Sequence, residues 1–173
     1  MLSSPSTRCR PTLRLTLEAL ERRIELITLL VLLLIATLSG WGLLFLPGTI
    51  PIHYSLSGSI HPDLNGSKWI LVLFFLLALA LYGLLSLLSR WLRSLHYPLA
   101  TSTQGVERRY RLGRLLLAGL KLCLSILLAY LSWMFIQGAT GGLNGWIFLG
   151  FLFLAGLPPL LVILYFIQAQ RLR

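Results

Sequence analysis

The chain reads as an all-α integral membrane protein: four transmembrane helices, N-in/C-in, with a structured extracytoplasmic loop between helices 1 and 2. Three observations lead there. Of 173 residues, 57% are hydrophobic and 12% charged, about half the charged share of a soluble domain, and mean hydropathy is +0.83. The apolar residues gather in four runs, Ile24–Leu46, Trp69–Ser89, Leu115–Ile136 and Trp146–Ile167. Each has the roughly 20 residues a helix needs to cross the hydrocarbon core. Lipid offers the backbone no hydrogen bonds, so such runs must be helical. Finally, all thirteen arginines lie before span one, between spans two and three, or after span four, whereas the other two connections hold only Lys68. That asymmetry is the positive-inside signal and places both termini and the middle connection in the cytoplasm. The net charge of +10 therefore serves topology and anionic headgroups, and nucleic acid is not an expected partner.

Residues 1–23 form a basic cytoplasmic tail and an amphipathic helix; residues 24–173 form the membrane domain. Leu13, Leu17, Leu20, Ile24 and Ile27 recur at helical spacing, with Glu18 and Arg22 four apart on the polar side. This helix suits an interfacial anchor or a docking surface, and runs into span one. Span one is too long for a secretory leader and lacks a small-x-small cleavage site, so it is expected to be retained. Ala36, Ser39 and Gly40 give it a face for close helix approach. Lys68, Trp69 and Trp91 anchor span two.

The middle connection, residues 90–114, turns at Pro98 and becomes helical from Gly105; His96 there suits an interfacial site. Span three holds the one embedded charge, Lys121. An intramembrane ionisable residue suggests function. The alternatives are snorkelling to the headgroups, about 10 Å away along the helix, and a pair with Glu25. A tight uncharged turn, residues 137–145, leads to span four, where Pro158 and Pro159 predict a static kink.

Cys9 and Cys123 have no C-x-x-C spacing and imply neither a disulfide framework nor a zinc site. No nucleophile-elbow, zincin or P-loop motif occurs, and no span contains the histidine or aspartate an intramembrane protease would use. No enzymatic activity, catalytic residue or cofactor is expected.

What remains is residues 46–69, LPGTIPIHYSLSGSIHPDLNGSKW, with two of the three histidines and the only aspartate. A connection this long without secondary structure is uncommon unless functional or disordered, and its apolar residues argue for packing. His53, His61 and Asp63 are the minimum donor set for a divalent metal, though in no recognised spacing. The structural alternative has Pro47, Pro51 and Pro62 stiffening the loop and Gly58 and Gly66 permitting positive φ. His53 then bonds loop backbone, and Asp63 pairs with Lys68. This alternative is preferred.

The same stretch resembles the L-P-x-x-[IV]-P-x-H-[aromatic]-x-x-x-G…D…G-x-K motif of a bacterial membrane domain of unknown function, the N-terminal module of SdpI-like immunity proteins. Leu46, Pro47, Ile50, Pro51, His53, Tyr54, Gly58, Asp63, Gly66 and Lys68 match it. A weaker likeness extends over residues 90–135. The spacer before Asp63 is longer than the family's, leaving His61 outside the motif, and full SdpI-like proteins carry further spans. The resemblance implies a multi-pass protein of the bacterial plasma membrane that protects its cell against a secreted antimicrobial protein. It also implies signalling through a cytoplasmic regulator. The expected partners are thus the bilayer, an extracellular peptide or protein at the outer loop, and a membrane-protein or cytoplasmic regulator. The rival reading is an accessory or scaffolding subunit of a larger membrane complex; small-molecule transport finds little polar pathway.

Overall fold

The computed structural model describes residues 11–55, 61–96 and 104–171, with side chains for 19–52, 64–91 and 112–170. In chain order the elements are α1 (Pro11–Phe45), β1 (Thr49–Ser55), β2 (His61–Ser67), α2 (Ile70–His96), α3 (Gln104–Ala139) and α4 (Gly145–Arg171). The amphipathic segment and span one form one continuous helix, α1. Among the described residues, four stretches are long and apolar enough to cross a membrane: Ala19–Phe45, Ile70–Trp91, Leu112–Ala139 and Gly145–Gln170. The protein is a polytopic α-helical membrane protein. Its exposed side chains include many leucines, isoleucines and phenylalanines along the helices, the surface that lipid covers.

Helix α3 is the axis of the bundle, packing against α1, α2, α4 and β1. Midway along it, Leu32 and Ile35 of α1, Ala78 of α2 and Leu128 and Ala129 of α3 form a buried cluster. Nearby, Ser39 donates to the carbonyl of Leu71 at 2.8 Å, an interhelical bond where small residues let backbones approach. Helix α4 leans on α3 alone among the elements with extensive contact, and no residue in its most apolar stretch is buried. Tyr130 ties the two together by donating to the carbonyl of Ile147 at 2.8 Å. Gly150 leaves room for that hydroxyl.

The turn between α3 and α4 is specified locally. Gly141 has φ 76°, the left-handed conformation that glycine adopts without penalty. Its N–H reaches the carbonyl of Gly138, and that of Gly142 reaches Gln137 at 2.8 Å, the paired closure of a Schellman motif. Asn144 then caps α4, its Oδ1 accepting from the Ile147 N–H at 3.1 Å. Pro158 and Pro159 lie inside α4 without ending it.

One element differs from the all-α expectation. The connection between α1 and α2 is an antiparallel β-hairpin, with Thr49 opposite Ser67, Ile50 opposite Gly66 and Pro51 opposite Asn65. The register shifts between Pro51 and His53 and again between His53 and Tyr54, so the ribbon is irregular above its base.

Candidate functional site

Two places concentrate polar chemistry, one at each end of the bundle. At the first, the hairpin is fixed on the helix ends by one apolar and one charged anchor. Ile50 is fully buried among Leu46, Leu71, Met134, Phe135 and Ile136. Lys68 donates from Nζ to the carbonyls of Leu43 at 2.7 Å and Leu46 at 3.2 Å. These are end carbonyls of α1, left without helical partners, and a lysine there also suits the negative end of the helix dipole. The backbone N–H of Lys68 closes the hairpin base on the Gly48 carbonyl. The anticipated partner of Lys68, Asp63, has its side chain outside the described residues; the described partners are these two carbonyls.

The remaining motif positions distribute along the ribbon. Pro47 lies between α1 and β1. His53 stands opposite Leu64, Tyr54 opposite Pro62, and His61 opposite Ser55. The side chains of His53, Tyr54, His61 and Asp63, and the whole of Gly58, lie outside the described residues. So does any metal set they would form; among the described residues no group of three histidines, cysteines or acids can hold a metal ion. Gly66 is needed for a reason other than the expected one. Gly141, not Gly66, is the described glycine with positive φ, whereas a Cβ on Gly66 would meet Ile52 Cγ2 at 2.8 Å. Close approach, not backbone conformation, requires glycine there. Ile52 and Leu64 stay exposed on the ribbon.

The second place is the opposite, basic end of the bundle. Lys121 is only 3% exposed and donates to Glu25 Oε1 at 2.9 Å and to Ser86 Oγ at 3.3 Å. The Tyr82 ring lies 5.4 Å from its ammonium, within cation–π range. Of the alternatives weighed for Lys121, the pair with Glu25 is present; the side chain crosses a helix interface and does not snorkel. Toward the basic end, Arg114 pairs with Glu21. Glu21 and Glu25 are four apart on α1, so they share a face; Arg114 and Lys121, seven apart, share one on α3. The result is a two-rung ladder of opposite charges joining α1 to α3. Sequence reading found the Lys121 rung but missed Glu21 with Arg114, and the contacts from Tyr82 and Ser86. The matched spacings of acids and bases were the available signal.

A cavity of about 160 Å³ opens beside the ladder, lined by Glu21, Arg22, Glu25, Ser89, Arg114, Ala118 and Lys121. The ladder's two acids and two bases balance one another, which keeps four charged groups tolerable at the edge of the hydrocarbon. Comparisons of this chain with protein-family models, with curated proteins and with solved structures gave no significant match.

Proposed function

We propose that this is a non-enzymatic, N-in/C-in protein of the bacterial plasma membrane whose hairpin is an extracytoplasmic recognition element for a peptide or protein. The observation that supports the reading is the mounting of the hairpin. Ile50 and Lys68 hold it on the helix ends, while Ile52 and Leu64 remain uncovered. A ribbon held in place loses less entropy on binding than a free loop, so its exposed apolar side chains suit a contact surface. Together with the resemblance of residues 46–69 to SdpI-like proteins, this favours immunity against a secreted antimicrobial protein.

Challenge with spent medium from related strains tests it. Cells lacking the gene should be killed, the natural protein should restore survival, and Leu64→Glu should fail to restore it at equal membrane abundance. Unchanged survival of the deletion strain removes the immunity reading; full rescue by Leu64→Glu removes the hairpin from it.

The second reading, a scaffolding subunit, is favoured by one observation: α4 has no buried residue in its most apolar stretch, and Trp146 is 81% exposed. A membrane partner that co-purifies at fixed stoichiometry in mild detergent, and is lost on substitution along α4, would favour it.

A further inference from the structure

The cavity at the basic end has no part in the recognition reading, and its depth is fixed by the helices that line it. Arg22 and Arg114 each lie nineteen positions along their helix from a tryptophan near the hairpin end, Trp41 and Trp133 respectively. That is about 28 Å at 1.5 Å per residue, close to the roughly 30 Å hydrocarbon thickness. Ser89 lies equally far from Ile70, the first residue of α2. The cavity therefore sits where hydrocarbon gives way to headgroups.

Its lining presents both signs of charge. Arg114 and Lys121 are engaged with Glu21 and Glu25. Two groups keep capacity. Arg22 is exposed and makes no ion pair among the described residues. Glu25 is 48% exposed and meets Lys121 through Oε1, leaving Oε2 without a partner among the described residues. These two groups are three positions apart on α1, a spacing that sets Cβ atoms about 5–6 Å apart. A cation and a carboxylate thus stand side by side at headgroup depth.

We propose that this cavity binds the headgroup of a zwitterionic phospholipid bearing a primary ammonium, of the phosphatidylethanolamine class. The phosphate sits on Arg22 and the ammonium on Glu25 and the Ser89 hydroxyl. A purely basic pocket selects anionic lipid, but here Glu21 and Glu25 favour a headgroup that carries a cation beside its phosphate, which a glycerol headgroup lacks. The two-carbon spacer of ethanolamine suits neighbouring sites on one helix face. A choline headgroup has the same charges and spacer but no N–H to donate, so the carboxylate discriminates between them by charge-assisted hydrogen bonding.

Native mass spectrometry of the full chain, released from micelles holding equal fractions of the ethanolamine, choline and glycerol phospholipids with identical acyl chains, reads this out. One ethanolamine lipid should be retained per chain, about tenfold over choline lipid, as expected from one or two charge-assisted bonds. Arg22→Gln should lower retention of that lipid, and Glu25→Gln should erase the preference over choline. Because Glu25 also holds Lys121, the decisive arms are the natural protein and Arg22→Gln, a position with no described structural partner. Equal retention of ethanolamine and choline lipids, a preference for the glycerol lipid, or an unaffected Arg22→Gln variant would each overturn the proposal. Soluble phosphoethanolamine should displace the lipid poorly; displacement matching that by the lipid itself would overturn the bilayer as the source.

Discussion

Removing either partner of the Lys121–Glu25 pair should cost unequal amounts, because the two ends are unequally buried. Lys121 is 3% exposed and Glu25 48%. Glu25→Ala leaves an ammonium inside the bundle, about 10 Å from the Arg114 level. Breaking a buried pair in this way costs about 3–5 kcal/mol. Ser86 at 3.3 Å and the Tyr82 ring retain part of that, a cation–π contact being worth about 0.5–2 kcal/mol, so a loss of about 2–3 kcal/mol is expected. Lys121→Met instead leaves a carboxylate that is half exposed at the headgroup boundary, with Arg22 nearby on the same helix. Its cost should stay near that of a surface pair, about 0–1 kcal/mol. The double variant should resemble Lys121→Met, giving a coupling energy of about 2 kcal/mol. Unfolding titrations in mixed micelles, followed by tryptophan fluorescence, measure all four proteins. Equal losses from the two single variants, or additive losses in the double, would refute the reasoning from burial.

Three further outcomes follow from the packing. Ile50→Ala should destabilise the hairpin by about 2–4 kcal/mol, a large-to-small core loss, seen as faster proteolysis within residues 49–67 with membrane insertion unchanged. Lys68→Met should loosen the same segment by about 1 kcal/mol through the lost end carbonyl bonds, measured as faster amide exchange at Leu46 and Thr49. Gly150→Ala should displace the Tyr130 hydroxyl from the Ile147 carbonyl and cost about 1–3 kcal/mol of overpacking. Its readout is a lowered unfolding midpoint for the α3–α4 pair, which Tyr130→Phe in the same background should partly relieve.

The membrane helices were legible because lipid leaves the backbone one solution, and run length reports it directly. Their ends were legible to within a few residues from Trp69, Trp91 and the arginines. The hairpin was not. Residues 61–67, HPDLNGS, contain proline, aspartate, asparagine and glycine, all depleted in strands, and show no alternation. That strand exists because Ile50 docks on α3 and Lys68 closes the base, which are tertiary causes a local pattern does not carry. Lys121 was visible as an embedded charge and Glu25 as one of its candidate partners. The second rung was not, since Glu21 and Arg114 belong to stretches that read as ordinary charged flanks. The proline pair in α4 lies within a helix that continues to Arg171, as prolines in membrane helices can when neighbouring groups satisfy the freed carbonyls.

Site-directed labelling reads out whether this four-helix membrane protein presents its hairpin outside the cell. In a background with Cys9 and Cys123 replaced, single cysteines at Asn65, exposed on β2, and at Ser102, between α2 and α3, are treated in whole cells with a membrane-impermeant maleimide. Asn65→Cys should label in intact cells and Ser102→Cys only after permeabilisation. Labelling of Ser102→Cys with protection of Asn65→Cys would invert the topology and contradict every role assigned to the hairpin.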